Sequence, residues 1–300
     1  MAKMNQNRRY GIELEMHVQG GQMRVTNALQ EAGIDATSMG WGEHTNGPNT
    51  NWHVTTDGSL GSYSTGVEVV SPILQGDDGL KQIEKVCQAL ETVGASINKK
   101  CGFHVHVEAR GMLNDTAWAK TLIQMYSKYE HVLDAFQPAS RKNNSATYCQ
   151  KVGKKTNVKE WFKTIKECDK NVRDFWREHF NGYDNGPNGK YHKLNFAPLW
   201  RQETVEFRHH SGTVEFDKIR AWVCTVIGLV DNADRNKERN IKAINPKHQK
   251  VLNESDTVAG MWTAKKEILE ADLKAFLKVM RPDRKTAKTL RDRFAKNWNK

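Results

Sequence analysis

The stretch Arg8–Val18, "RRYGIELEMHV", constrains the fold more than any other part of the chain. Apolar side chains occupy every second position from Ile12 to Met16, which is the period of a β-strand with one buried face. Glu13 and Glu15 lie on the opposite face of this strand. That face either contacts solvent, as most polar strand faces do, or binds something positively charged.

Four further stretches show the same alternation, namely "NWHVTTDG", "TGVEVVSP", "CGFHVHVEA" and "TVEFRHH". Their polar positions carry Glu, His and Arg more often than the Lys, Ser and Thr of ordinary solvent-facing strands. If these strands share one sheet, its polar face collects carboxylates, an imidazole and one guanidinium from Arg208. The carboxylates and the imidazole belong to Glu13, Glu15, Asp57, Glu68, His104 and Glu206.

Such a set of carboxylates predicts a metal site, because facing carboxylates repel one another unless cations neutralise them. Oxygen-rich ligation with a single imidazole favours Mg²⁺ or Mn²⁺ over Zn²⁺. Carboxylates two positions apart on a strand are about 7 Å apart at the backbone, which suits metals separated by about 3.5–4 Å. The chain has neither a G-x-x-x-x-G-K-[ST] loop nor a G-x-G-x-x-G loop that opens a helix. A bound nucleotide would therefore be held by metals and by side chains such as Arg208.

The order of predicted elements favours an α+β fold with a mainly antiparallel sheet, because strands arrive singly or in pairs between helices of varied length. Helices are predicted over 115–136, over 158–179 and within "FDKIRAWVCTVIGLVDNA". We expect a catalytic domain over residues 1–235 and a basic, mostly helical extension over residues 236–300.

Positive charge is concentrated at the end of the chain. The formal net charge is +11, and "RPDRKTAKTLRDRFAKNWNK" holds eight Lys or Arg against two Asp. This segment predicts either an ordinary solvated helix face or a surface for an anionic partner, such as a nucleic acid or an acidic polypeptide.

The cysteine pattern predicts a reduced, cytoplasmic protein. Five cysteines occur without a C-x-x-C pair, which does not suggest a disulfide framework. The longest apolar run, "AWVCTVIGLV" at 221–230, is about half the length that a bilayer requires, so no membrane association is expected.

Five blocks between about residues 8 and 230 resemble the amidoligase family, in the same order. They are "YGIELEMH", "DGSL…GVEVVSPIL", "CGFHVHVEA", "PASRKNNSATYC" and "YHKLNFAPLWRQETVEFRHHSGT". That family belongs to the glutamine synthetase-like carboxylate–amine ligases and is distantly related to glutamate–cysteine ligase. The resemblance implies an antiparallel sheet, flanked by helices, whose concave face holds ATP and Mg²⁺ or Mn²⁺.

The resemblance also implies a reaction, in which a substrate carboxylate attacks the γ-phosphate of ATP and an amine then attacks the acyl phosphate. The substrates would be a small-molecule or peptide carboxylate and an amine. Glu15 and Arg208 are the expected catalytic residues. Arg208 and Arg141 are expected to contact the nucleotide, and so is Lys193 from its position beside a loop rich in Gly and Asn. The expected metal ligands are Glu13, Glu15, Asp57, Glu68, His104 and Glu206.

Two other classes of function stay open on the sequence alone. The "HVH" strand could serve a metal-dependent hydrolase or oxygenase, although a cupin-like site would place its glutamate further from the histidines than Glu108. The basic C-terminus, with Trp262, Phe294 and Trp298 among its charges, is also compatible with a nucleic-acid-binding protein. For His106, a substrate contact, a supporting role behind the metal ligands and simple packing are all compatible with the sequence.

Overall fold

The computed structural model describes residues 4–40, 49–62, 64–142, 149–153, 158–180, 191–253 and 261–299, without the side chains of Val158, Met261 and Trp262. Within these ranges the chain forms eight strands and ten α-helices. The strands are β1 (Arg9–His17), β2 (Ala36–Ser38), β3 (Trp52–Thr55), β4 (Gly66–Val70), β5 (Leu74–Gln75), β6 (Gly102–Glu108), β7 (Leu194–Asn195) and β8 (Thr204–Ser211). The helices are α1 (Gly21–Glu31), α2 (Gly76–Thr92), α3 (Thr116–Ala135), α4 (Val158–Glu167), α5 (Val172–Phe180), α6 (Leu199–Gln202), α7 (Phe216–Arg235), α8 (Pro246–Asn253), α9 (Met261–Met280) and α10 (Arg284–Asn297).

All eight strands belong to one sheet with the order β2-β3-β4-β1-β6-β8-β7, and β5 also pairs with β1. Every pairing is antiparallel except that between β2 and β3. The predicted mainly antiparallel α+β sheet is thus confirmed. The central position of β1, between β4 and β6, places its two glutamates in the middle of the sheet.

The apolar face of the sheet packs against helices. The alternate apolar side chains of β1, β6 and β8 are at most 2% exposed and join one core with side chains of α2, α3 and α7. Tyr126 of α3, for example, lies 6.1 Å from Phe207 of β8 between ring centroids. Each large apolar side chain buried in this way contributes about 1.5–3 kcal/mol. Burial of this face forces the intervening polar residues onto the other one.

The region predicted as one helix over 158–179 contains two helices, α4 and α5. The break has a local cause, because the side chain of Asn171 accepts a hydrogen bond from the backbone N–H of Asp174 at 2.9 Å. An asparagine in this position starts a new helix by satisfying an N–H group that the helix leaves free.

The helices beyond residue 236 share the core of the preceding chain. Phe276 of α9 and Leu290 and Phe294 of α10 are buried in the same cluster as α3 and α7. The guanidinium of Arg293 donates to the carbonyl of Phe136 at 3.0 and 2.7 Å. The division at residue 235 stays a prediction, but α9 and α10 are packed parts of this fold.

The outer face of α10 differs from its packed face, since Arg284, Lys288 and Arg291 are exposed there. Binding of an anionic partner to this face stays a prediction. The five cysteines are free of disulfides. In the ranges described, no helix has both the length and the hydrophobicity to cross a membrane.

Candidate active site

The polar face of the sheet is organised as three rows of side chains that lie next to each other across neighbouring strands. In the first row, Thr55 of β3 lies opposite Glu68 of β4, which lies opposite Glu15 of β1. In the second row, Glu13 of β1 lies opposite His104 of β6. The antiparallel register therefore brings together Glu13 and His104, which are 91 positions apart in the chain.

The third row runs from His106 of β6 through Glu206 of β8 to Asn195 of β7. The amide of Asn195 donates to Glu206 Oε2 at 2.7 Å, and the guanidinium of Arg208 forms an ion pair with Glu206 Oε1. The ring nitrogen Nδ1 of His106 lies 3.2 Å from the hydroxyl of Thr204. Both oxygens of Glu206 thus have a partner, and so does Nδ1 of His106.

His104 lies where the three rows meet. Its Nδ1 is 3.0 Å from Glu13 Oε2 and 3.7 Å from Glu206 Oε1, while its Nε2 is 3.7 Å from Glu15 Oε1. His104 itself is buried. One imidazole therefore contacts carboxylates from β1 and β8 at once, as the alternation of polar residues predicts.

Gly102, at the start of β6, allows the first two rows to approach each other. Its backbone N–H donates to Glu15 Oε2 at 2.5 Å. A Cβ atom at this position would lie 2.7 Å from His104 Nε2, so a larger residue would displace His104, and it would lie 3.4 Å from Arg141 Nη2. Arg141, predicted to contact a nucleotide, consequently lies beside Glu15 at the edge of the site. Its guanidinium donates to the carbonyls of Lys100 and Cys101 at 3.0 and 2.7 Å.

Negative charge is poorly compensated at the Glu68 end of the site. Burial raises the pKa of Glu68 well above its usual value, and the charges of Glu13, Glu15 and Asp57 raise it further. Asp57 starts a short turn there, where its Oδ1 accepts from the backbone N–H of Ser59 at 2.8 Å. A cation at this end would relieve the repulsion among these carboxylates.

At the opposite end of the site, the negative charge is compensated by neighbouring cationic and imidazole groups. Burial alone would raise the pKa of Glu13, but hydrogen bonds with His104 and His106 outweigh it and hold this pKa well below the usual range. Burial would likewise raise the pKa of Glu206, and the neighbouring Arg208 reverses the effect and lowers it. The site therefore has an electrostatic gradient from the Arg208 end to the Glu68 end.

Three overlapping groups of side chains have the spacing of metal ligands. In each group the donor atoms lie within 4.8 Å of one another. The groups are Glu13, Glu68 and His104; Glu13, His106 and Glu206; and Glu15, Asp57 and Glu68. Each predicted metal ligand occurs in at least one of these groups, and Glu13 and Glu68 each occur in two. One group also contains His106, for which the sequence left a substrate contact, a supporting role and packing open.

Two buried polar atoms near these groups fit the presence of further ligands. Thr55 Oγ1, next to Glu68 in the first row, has no hydrogen-bond partner in the described part of the chain. The Nε of Arg208 is likewise buried and unpaired there. Carboxylates with few imidazoles are the donor set that Mg²⁺ and Mn²⁺ prefer, so the residues present fit these ions.

Lys193 is placed differently from the sequence-based prediction. Its side chain is fully buried on the helix-covered side of the sheet, with Nζ 2.5 Å from Asp134 Oδ1 and 3.7 Å from Glu130 Oε1. Asp134 also contacts His209 at 2.7 Å. The ammonium compensates carboxylates of α3, so the structure does not bring Lys193 to the polar face. Most of the adjoining loop, residues 181–190, lies outside the described residues.

Asn195, Thr204 and Gly102 contribute to the site although the sequence did not single them out. Asn195 could have been found by the same alternation, because it lies between the buried Leu194 and Phe196. The contributions of Thr204 and Gly102 depend on register and close approach, for which a single sequence offers no signal.

Solved structures and curated proteins were compared with the chain. The crystal structure of a bifunctional glutathione synthetase from Pasteurella multocida is 10% identical, with a TM-score of 0.43 over 97% of this chain and 47% of that chain. The crystal structure of a novel glutamine synthase homolog is 11% identical, with a TM-score of 0.39 over 96% of this chain and 65% of that chain. The present chain thus spans about half the length of the first of these proteins. A search of curated proteins found no significant match.

A family model gives a more specific result. The model described as "Putative amidoligase enzyme" matches residues 6–230, which include the five blocks and all the carboxylates of the three rows. This match covers well over half of the chain. The protein is therefore a member of the amidoligase family.

Proposed function

We propose that the protein is an ATP- and Mg²⁺-dependent carboxylate–amine ligase that works through an acyl phosphate, with Mn²⁺ as an alternative ion. The observation that supports this most is the continuous set of three ligand groups next to the Arg208 guanidinium. Several divalent ions beside an arginine suit the transfer of a phosphoryl group, whose charge is spread over its oxygens.

The predicted ligands would hold the metals on the two sides of the Glu13–His104 row. They are Glu13, Glu15, Asp57, Glu68, His104 and Glu206. When bound, the ions would supply positive charge that neutralises the charge developing on the transferred phosphoryl group. Glu15, which is fixed by the N–H of Gly102, would hold one of these ions in place.

Arg208 and Arg141 are the guanidinium groups at the site. Arg208 is partly buried and already paired with Glu206, so its side chain is pre-oriented and its remaining N–H groups can donate to a γ-phosphate. Arg141 lies on the other side of His104, beside Glu15. We assign both residues to the nucleotide and Arg208 to the phosphoryl group that is transferred.

In the proposed reaction an oxygen of the substrate carboxylate forms a bond to the γ-phosphorus, and the bond from this phosphorus to the β–γ bridging oxygen breaks. ADP leaves, and an acyl phosphate remains. The amine nitrogen then forms a bond to the acyl carbon, the carbon–oxygen bond to phosphate breaks, and the amine loses a proton to solvent. Amide, ADP and phosphate are the products.

The test is phosphate release from ATP and Mg²⁺ with a panel of carboxylates and amines. We expect release only when both partners are present, and we expect Glu15→Gln to abolish it while the protein stays folded. Glu91→Gln, at an exposed position of α2, is the matched control and should react like the wild type. Absence of both ATP binding and phosphate release across a broad panel would exclude this function.

A metal-dependent hydrolase or oxygenase is the alternative for the "HVH" strand. In the described part of the chain, each candidate ligand group contains at most one imidazole and at least two carboxylates. This oxygen-rich composition favours weakly held Mg²⁺ over tightly held zinc or iron. Metal analysis of the purified protein separates the two, since bound zinc or iron at one equivalent would favour the alternative.

A further inference from the structure

His106 has an environment that distinguishes it from His104. Its Nδ1 lies 3.2 Å from the hydroxyl of Thr204, whereas its Nε2 lies 3.2 Å from Glu13 Oε1 and 4.0 Å from Glu206 Oε1. Both ring nitrogens of His104, in contrast, face carboxylates. Of these two histidines, His106 is thus the one with one nitrogen directed at the carboxylates and the other held by a neutral side chain.

The contact with Thr204 sets the form in which His106 can bind a metal. When a metal is bound, a hydrogen bond from Nδ1–H to the hydroxyl oxygen of Thr204 leaves the lone pair of Nε2 directed towards the ion between Glu13 and Glu206. Metal-binding histidines usually have such an outer hydrogen bond, which fixes the tautomer and the orientation of the ring. Thr204 is itself held on β8, opposite Glu108 of β6.

The distances also match those around a single ion. With metal–ligand bonds of about 2.0–2.2 Å, two donor atoms lie roughly 3 Å apart in neighbouring positions and roughly 4.3 Å apart in opposite positions. The distances of 3.2 and 4.0 Å from Nε2 to the two carboxylate oxygens fall in this range. Glu13, His106 and Glu206 can therefore ligate one ion without a change of strand register.

We propose that His106 is a metal ligand and that, with Glu13 and Glu206, it forms a site that prefers Mn²⁺ to Mg²⁺. An imidazole nitrogen favours transition metals over Mg²⁺, which prefers oxygen. The all-carboxylate group of Glu15, Asp57 and Glu68 at the other end has no such preference. The inference rests on the proposed function, in which the polar face binds divalent ions. It assigns a different metal preference to each end of that face.

Pulsed electron paramagnetic resonance on Mn²⁺ tests this without ATP, acid or amine. In His104→Gln, His106 is the remaining imidazole of the three ligand groups. We expect coupling between Mn²⁺ and an imidazole nitrogen in this variant, and loss of the coupling when His106→Gln is added. Absence of nitrogen coupling in His104→Gln, with Mn²⁺ bound, would overturn the proposal.

Metal affinity gives a second readout in case a histidine variant fails to fold. Thr204→Val keeps the shape of the side chain and removes the outer hydrogen bond, so we expect at least tenfold weaker Mn²⁺ binding, with less than a threefold change for Mg²⁺. The control is Thr225→Val, a buried threonine of α7 that bonds to the carbonyl of Ala221 and should leave both affinities unchanged. Equal affinities in Thr204→Val and the wild type would contradict the assignment.

Failure of this inference and failure of the proposed function are distinguishable. Nitrogen-coupled Mn²⁺ in a protein that forms no amide would refute the ligase function and leave the assignment of His106 in place. A Mg²⁺-dependent ligase without nitrogen coupling in His104→Gln would refute the assignment of His106 alone.

Discussion

Glu15 on β1 lies directly opposite Glu68 on β4, so two carboxylates are neighbours on the polar face of the sheet. Burial and the charges of Glu13, Glu15 and Asp57 raise the pKa of Glu68 well above its usual value. A group whose pKa is raised by folding loses stabilising free energy as the pH rises above its unfolded pKa of about 4.3. At neutral pH this pair therefore lowers the free energy of unfolding of the metal-free protein.

Divalent cations should stabilise the wild-type protein through this pair. At a Mg²⁺ or Mn²⁺ concentration of 100 times the Kd, we expect about 2.7 kcal/mol of added stability. Glu68→Gln should stabilise the EDTA-treated protein at pH 7 by about 1 kcal/mol and reduce the gain from cations. Thermal unfolding with EDTA and with added cation measures both effects. A lower Tm of Glu68→Gln in EDTA would contradict this explanation.

Arg208→Gln should separate catalysis from metal binding. Removal of a guanidinium that stabilises the transferring phosphoryl group should lower kcat about 10²–10³-fold. Because Arg208 also compensates Glu206, its loss leaves that carboxylate more available, and we expect cation binding to be equal or tighter. Phosphate-release kinetics and Mn²⁺ titration measure the two effects. Arg110→Gln, at an exposed ion pair with Glu203, is the control.

Phe294→Ala should destabilise the whole protein by about 3–5 kcal/mol, because Phe294 is buried against the core shared with α3 and α7. Denaturant unfolding measures this loss. Lys296→Ala, at an exposed position of the same helix, should stay within about 0.5 kcal/mol of the wild type. Equal stabilities of the two variants would show that α10 is not part of the cooperative core.

The outer face of α10 can be tested without disturbing the core. Replacing Arg284, Lys288 and Arg291 by Gln removes three exposed positive charges and should leave the unfolding midpoint nearly unchanged. If this face binds an anionic partner, affinity for a short DNA duplex should fall and the slope of log K against log salt should decrease by up to about 3. Unchanged DNA binding in the triple variant would exclude this face.

His209 should make the fold sensitive to moderate acid. Burial, with the nearby charge of Lys193, lowers the pKa of His209 from 6.5 to about 4. Below pH 6.5 the unfolded chain takes up a proton that the folded chain does not, so stability falls between pH 6.5 and 4, by up to about 3 kcal/mol. His209→Gln should be less stable at pH 7 but lose less on acidification. An identical pH dependence in both proteins would contradict this account.

The sequence predicted the composition of the polar face because strand alternation is local and the other face had to be buried. Glu13, Glu15, Glu68, His104 and Glu206 all reach this face for that reason. Their approach to one another depends on strand order and register, which were not predicted residue by residue.

Lys193 shows where local patterns give no information. It immediately precedes β7, so it lies outside the short alternating stretch that identifies Asn195, and that stretch does not indicate the direction of its side chain. Its partner Asp134 lies 59 positions earlier, on α3. The buried face of α10 could not be predicted for the same reason. The composition of α10 predicts a charged surface, whereas its contacts with α3 and α7 form only in the folded chain.

The hydrogen bonds from Arg293 to Phe136 join positions 157 residues apart, which has a consequence for biosynthesis. On the ribosome, α3 and α7 are complete well before α10 has been synthesised, and their shared apolar surface lacks its cover during that time. Loop closure over so many residues also slows folding. The nascent chain therefore passes through a stage in which the strands of the site, α3 and α7 have been synthesised while the apolar surface that α10 covers is still exposed.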